Sequence, residues 1–509
     1  MTIKATLAQP GGSLLLTYAG IQVALWTLVP GLTHINPPLD VVELYAWGNN
    51  LQWGYAKHPP LPSLLIEGVY WLTGSASWSA YLLSQVSIAL TFWAVWLLGL
   101  RLTTPFWAAL GAMFLGGLTY FQFPTPEFNH NVLQMPLWAW AFFLLHRCWR
   151  EDGFGSWIGL ALILAAGFYT KYSVALVPAV ALVFFLIDPL GRERLKGWKP
   201  WAAGALALAL ILPHLIWLVQ HDFAPLTYAR ERGGEVAGLG QRFLNPLDFA
   251  LNELLDHLPL LLALILLLFW PFRRKRSEAE AALQRAEVSD RRFLLFFGLG
   301  PLALILALSL AMGFDPKSAW GAPLFCLSGL LAISLTRPRP RAAGVRAAVV
   351  WLFAVTFLTV TAFGLHHLFG SDLRGKATKG VFPGPELAER LLESLPGAPE
   401  IVSGPYWEAG NLSLNLPGRP AVLLEGDLGL SPWITPELLR EARVLLVWPE
   451  GRRNRWMPPL LAERAPLTEG QVSQPYPSAP SLPPLVLNYA FYGPEEAAAP
   501  ASGESSNSN

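Results

Sequence analysis

Leu14-Leu15-Leu16-Thr17-Tyr18-Ala19-Gly20-Ile21-Gln22-Val23-Ala24-Leu25-Trp26-Thr27-Leu28-Val29-Pro30 runs for 17 residues without a charge. One basic residue, Lys4, precedes it, and no small-x-small cleavage pattern follows. The run is longer than the apolar core of a usual secretory signal, so it reads as a first membrane helix that stays. Comparable stretches recur along the first three-quarters of the chain. Crossing ~30 Å of hydrocarbon takes about 20 apolar residues. Candidate spans fall near 12–33, 79–100, 105–122, 132–148, 156–170, 173–188, 200–220, 251–270, 293–312, 319–336 and 346–366. The fifth and sixth are short, so tilt or a break is expected there. Composition agrees: 53% of the 509 residues are hydrophobic and only 14% are charged, against about 25% charged in a soluble domain. The 22 Trp and 28 Phe suit aromatic belts at two membrane interfaces. Cys148 and Cys326 lie near or in apolar spans and read as core packing rather than a disulfide or metal site.

The formal charge of +1 says nothing of partners, because the charge is segregated along the chain. One set of loops holds Arg101, Arg147, Arg150, Arg192, Arg194, Lys196 and Lys199, then the basic stretch 273–292, then Arg337, Arg339, Arg341 and Arg346. The opposite loops hold Lys57, Lys171, Arg230, Arg232, Arg242 and Lys317. The positive-inside rule puts the first set in the cytoplasm. Eleven crossings from an inside N-terminus place every rich loop inside and the C-terminal region outside. The expected fold is a polytopic α-helical inner-membrane protein of about 11 transmembrane helices over 1–369, with outer loops at 34–78 and 221–250. Within the first loop, 61–74 is too short to span and reads as an interfacial helix. Beyond Gly370 the composition turns soluble. Two Pro-started helices, at Pro385 and Pro436, interleave with β-rich runs at 400–403, 420–424 and 443–448. This predicts a small periplasmic α/β domain over 370–493. The Ala/Ser/Glu-rich tail 494–509 is expected to be disordered.

The first outer loop carries the unusual residues: Asp40-Val41-Val42-Glu43-Leu44-Tyr45-Ala46-Trp47, then Trp53-Gly54-Tyr55-Ala56-Lys57-His58-Pro59-Pro60. From spacing alone, Asp40 and Glu43 make a capping box, with Asp40 as N-cap and Glu43 as its N3 partner. The functional reading is a carboxylate held at the membrane surface as a general base. Lys171-Tyr172 sits between two apolar runs, where a lysine is costly unless it snorkels or meets an anion. Glu127, Asn129, His130 and Asn131 precede the fourth span; either asparagine suits a helix cap, and the spacing is no metal signature. Arg230 and Arg232 follow Tyr228, and a guanidinium suits a phosphate. Lys317 beside Trp320 reads as an interfacial anchor, and His366-His367 as interfacial packing.

Asp40, Tyr45, Trp47, Gly54, Tyr55, His58, Pro59 and Pro60 follow in order the first-loop pattern of bacterial GT-C glycosyltransferases of the protein-mannosyltransferase and aminoarabinose-transferase type. The chain resembles that family from roughly residue 12 to residue 370. Here Val41 replaces the frequent second acid, so Glu43 is a helper rather than an equivalent. The resemblance implies catalytic Asp40, assisted by Glu43. Tyr55, Lys57, His58, Lys171, Tyr172, Arg230, Arg232 and Lys317 are the expected substrate-binding residues. The implied reaction is inverting sugar transfer from a polyprenyl-phosphate donor at the periplasmic face, with Lys171 on the donor phosphate. The acceptor is a glycolipid, a glycan such as that of lipid A, or a protein. Membrane lipids are further partners, and no nucleic acid is expected. No nucleotide-binding signature appears. No cofactor is named, and a divalent metal ion is left open. Two other readings stay open: a lipid or glycan transporter, and a scaffold in which Asp40 is only a cap.

Overall fold

A computed structural model describes residues 9–234, 238–270, 288–449 and 453–495. Most of the basic stretch 273–292 and the tail beyond Glu495 lie outside the described residues. The chain divides into two compact units, one of Met1–Leu44 and Trp53–Gly370, the other of Tyr45–Gln52 and Ser371–Asn509.

The first unit is helical, and its long apolar helices make it a polytopic membrane fold. Gly12–Thr33, Trp78–Leu102, Lys199–Gln220, Arg291–Met312 and Ala342–Arg374 are each long and apolar enough to cross a bilayer. Two bent pairs raise the total to seven if each is one span: Tyr172–Ile187 with Pro189–Lys196, and Leu239–Asp256 with Leu258–Phe269. Two of the remaining expected spans are not continuous α-helices. The stretch at 105–122 leaves the α-helix after Met113 and continues as two 3-10 turns. Phe114 and Leu115 are fully buried there, and irregular backbone at membrane depth is tolerated where protein covers it. The stretch at 319–336 is helical only over Ser328–Thr336 after a 3-10 turn, Ser318–Trp320.

Periodicity decides what each helix presents. Leu208, Leu212, Ile216 and Val219 form an exposed stripe on Lys199–Gln220, while Ala203, His214, Trp217 and Leu218 are buried. Leucine and isoleucine outward suit lipid as solvent. Tyr18, Gln22 and Trp26, four apart on the first helix, share its buried face. Each finds a polar partner: Trp26 Nε1 donates to Gln122 Oε1 at 3.0 Å, Gln22 Nε2 to the Phe121 carbonyl at 2.6 Å, and Tyr18 OH lies 3.0 Å from Thr356 Oγ1. Interhelical hydrogen bonds of this kind lock helices that apolar burial alone would let slide.

The 22-residue helix His130–Glu151 separates two kinds of surface. Near its C-terminus, Arg101 and Arg147 pair with Glu151 at 2.5 and 3.1 Å. Arg150 pairs with Asp290, and Lys199 pairs with Asp152 at 2.8 Å. At 1.5 Å per residue, these basic groups lie about 28 Å along the axis from Asn131 at the other end.

In the second unit, β1 (Ile401–Gly404), β2 (Ala421–Leu424), β3 (Val444–Pro449), β4 (Thr468–Gln474) and β5 (Leu485–Tyr492) form one sheet, ordered β2-β1-β3-β5-β4. β1 pairs in parallel with β2 and β3; β5 runs antiparallel to β3 and β4. Parallel neighbours need crossovers, supplied by the helices Tyr406–Asn415 and Pro436–Glu441. The Tyr45–Gln52 stretch joins this unit through Arg419, whose carbonyl accepts from Asn49 Nδ2 at 2.7 Å and whose guanidinium lies 5.5 Å from the Tyr45 ring centre.

Candidate active site

After Pro37-Pro38 the chain turns helical at Leu39, and Asp40 falls in the first turn of Leu39–Gly48. This corrects the capping-box reading. The Val42 N–H donates to the Pro38 carbonyl at 3.0 Å, so Asp40 is already inside the helix. Its own backbone N–H is taken by Glu127 Oε1 at 2.9 Å. The Glu43 carboxylate pairs with Lys57. A distant acid therefore caps the helix, and the Asp40 side chain is left for something else. Asn129 Nδ2 donates to Asp40 Oδ2 at 2.9 Å. Asn129 Oδ1 accepts from the Asn131 and Val132 N–H groups at 2.9 and 3.1 Å, so it is also the N-cap of His130–Glu151. One amide thus ties the start of one helix to the acid of another.

Asp40 lines a cavity of about 270 Å³ in the first unit. Of the residues singled out in the sequence, Glu43, Lys57, His58, Lys171, Tyr172, Arg232 and Lys317 line it too. Two others do not. Tyr55 is fully buried, and its N–H donates to the His58 carbonyl at 3.0 Å, closing the turn that presents Lys57 and His58. Arg230 is exposed and absent from the cavity wall, because the helix Ala224–Gly233 shows the cavity Tyr228 and Arg232, four residues apart. A residue two positions from each lies on another face.

Each wall is built from local chemistry. Lys171 Nζ donates to Asn131 Oδ1 at 2.6 Å and lies 5.7 Å from the Trp320 ring centre. Tyr172 OH lies 2.9 Å from His214 Nε2. The rings of His58 and His130 are 4.1 Å apart, and Tyr228 meets His58 edge-on at 5.5 Å. Gly54 is fixed by packing: a Cβ there would lie 2.5 Å from the Trp217 ring. Lys317 pairs with Asp315. Among the described residues, Arg232 carries no ion pair with a carboxylate.

Burial pushes the Lys171 ammonium down to about 8; Asp40 works against that and Arg232 with it. Burial also holds the His58 imidazole well below its ordinary value, helped by His130, Lys171, Lys57 and Arg232. A neutral imidazole beside three cations is a poor proton acceptor. Among the described residues no three His, Cys, Asp or Glu side chains come together as a metal site. The arrangement offers two carboxylates, Asp40 and a Glu43 paired with Lys57, together with several further basic groups and aromatic side chains.

Several contributors were weighed in the sequence only as caps, anchors or weak helpers: Glu127, Asn129, His130, Asn131 and Trp320. Ser173 and Tyr228 also line the cavity. The signal for Tyr228 was its spacing from Arg232, i to i+4 on a short helix.

Residues 57–217 match the family model described as dolichyl-phosphate-mannose-protein mannosyltransferase. With the relatives that follow, this supports a membrane glycosyltransferase, similar to those of the protein-mannosyltransferase type. It is 27% identical over 496 residues to the lipopolysaccharide core galacturonosyltransferase RgtB of Rhizobium johnstonii, covering 94% of each chain. RgtA of the same organism, also a lipopolysaccharide core galacturonosyltransferase, is 25% identical over 510 residues, with 95% of this chain and 97% of RgtA covered. In fold, the chain matches ArnT from Cupriavidus metallidurans bound to undecaprenyl phosphate, with a TM-score of 0.65 at 14% identity. That match covers 94% of this chain and 98% of ArnT.

Proposed function

We propose that the protein transfers a uronic acid from a polyprenyl-phosphate donor to a lipopolysaccharide core sugar at the periplasmic face of the inner membrane. The observation that carries the reading is the single cavity in which Asp40 meets Lys171 and Arg232. The sugar class and the acceptor rest on the full-length similarity to two core galacturonosyltransferases. Asp40 takes the proton of the acceptor hydroxyl as its oxygen attacks the anomeric carbon. The bond from that carbon to the phosphate oxygen breaks, and polyprenyl phosphate leaves from the opposite face, so the configuration inverts. Lys171 and Arg232 bind the donor phosphate and stabilise the charge that grows on it as the bond breaks. Lys171 suits this role because its partner in the cavity is a neutral amide rather than a carboxylate.

The outward orientation follows the segregation of charge. The basic cluster at the far end of His130–Glu151 belongs to the loops assigned to the cytoplasm, so the cavity end faces the periplasm. With the N-terminus inside, a periplasmic C-terminal domain requires an odd number of crossings, and the number we propose is eleven.

The test is reconstitution in nanodiscs with a polyprenyl-phosphate hexuronic acid and lipopolysaccharide core acceptors. Mass spectrometry should find one added hexuronosyl residue, released from base-stable inverted linkage by the matching glycosidase only. Movement of the donor lipid between leaflets without any transfer would replace this reading with that of a transporter.

A further inference from the structure

Lys317 and Trp320 belong to a wall that is built more firmly than an interfacial anchor requires. The Trp320 N–H donates to the Lys317 carbonyl at 2.8 Å, so the two share one 3-10 turn. Beneath it, Tyr120 OH contacts the Ser318 carbonyl at 2.5 Å and Ser318 Oγ at 2.9 Å. The same hydroxyl donates to Glu253 Oε1 at 3.0 Å. Glu253 is 2% exposed, and its Oε2 has no hydrogen-bond partner among the described residues. A Cβ at Gly321 would collide with that carboxyl group, so the glycine next to Trp320 is what lets the turn sit on it. Burying a carboxyl group in an apolar helix costs stability and marks a functional demand. Here the demand is a fixed position for the turn that carries Lys317 and Trp320 into the cavity.

We infer that this turn is the sugar subsite, with the Trp320 face against the ring and Lys317 reading a carboxylate on the donor's sugar. The inference rests on the transferase reading above and adds the residues that select the sugar. Lys57 is occupied by Glu43, while Lys171 and Arg232 have no carboxylate partner among the described residues and serve the phosphate. Trp320 has its ring toward Lys171 and its backbone tied to Lys317, so it bridges the phosphate end and the second cation. Lys317 is held by Asp315, but both side chains are more than a third exposed, and such pairs are weak. An ammonium has three donors, so Asp315 can aim Lys317 while a sugar carboxylate takes the others. A neutral hexose leaves that ammonium with Asp315 alone.

The experiment compares two polyprenyl-phosphate donors, a hexuronic acid and the same sugar with its carboxylate masked as a methyl ester. The unaltered protein should prefer the free acid in kcat/KM by about 10- to 100-fold, the range for a hydrogen bond to a charged group. Lys317→Gln should erase most of that preference, and Lys317→Arg should keep most of it. A preference untouched by Lys317→Gln overturns the inference, as does an unaltered protein that uses both donors equally. In either case the transferase reading survives, because sugar is still transferred. Failure of the unaltered protein to use either donor, with the carboxylate free or masked, removes both.

Discussion

Asp40 illustrates how little a single side chain's role follows from its neighbours in sequence. Asp-x-x-Glu after Pro-Pro has the spacing of a capping box, yet Glu127 caps the helix and Asn129 holds the Asp40 carboxyl group. Asp40→Asn keeps an oxygen that can accept from Asn129, so thermal unfolding in detergent should be nearly unchanged. Turnover should fall by ~10²–10⁴-fold, the usual contribution of a general base. Glu43→Gln should retain more activity, since an amide can still accept from Lys57. A near-parental rate for Asp40→Asn would remove Asp40 as the base. Lys171 makes a prediction in pH. Burial lowers its affinity for a proton, so the ammonium is lost as pH rises through about 8 rather than in the ordinary lysine range. In the proposed mechanism, donor capture needs the charged form. The kcat/KM profile, which reports the free enzyme, should therefore fall on its alkaline side with a midpoint near that value. In Lys171→Arg, whose guanidinium stays protonated, this limb should move to higher pH. A limb that does not move would assign it to another group.

At the scale of elements, helix phase and helix caps choose which side chains meet. The short helix Ala224–Gly233 brings Arg232 to the cavity and turns Arg230 away. Arg232→Ala should weaken binding of undecaprenyl phosphate in nanodiscs, while Arg230→Ala should change it by less than twofold. Equal effects would mean that the loop acts through its general charge. Asn129 joins two elements at once. Asn129→Asp keeps a good N-cap but sets a carboxylate against Asp40, with nothing to donate between them. Stability should change by less than about 1 kcal/mol from the cap, and activity should fall. An unaltered rate in Asn129→Asp would show that the bond to Asp40 is dispensable.

At the scale of the whole molecule, the distribution of charge is the strongest organiser. Topology reporters placed in 273–292 and 337–346 should report the cytoplasm, and reporters after residue 370 should report the periplasm. A cytoplasmic reporter signal after 370 would turn the cavity to the wrong side for a lipid-linked donor and overturn the proposed direction of transfer. The bent pairs and 3-10 breaks do not disturb this logic. Basic residues are counted at loop ends, so a kinked or broken helix contributes to the orientation as a straight one does.

The membrane class, the basic loops and the helix-starting prolines were legible in the chain, because hydropathy, charge and proline act locally and are written in consecutive residues. The first loop was legible as a motif, and Asp40, Lys57 and His58 do line one cavity. What only tertiary structure decided were the pairings across long separations: Asp40 with Asn129, Lys171 with Asn131, and Tyr120 with Glu253. Tyr55 and Arg230 looked equal to their neighbours in sequence, yet one closes a turn and the other faces away. Strands β4 and β5 likewise escaped notice, since their antiparallel pairing is stabilised across strands and not within either one. Spacing along a chain specifies which residues share a helix face. Which distant face it meets is set by how the helices pack.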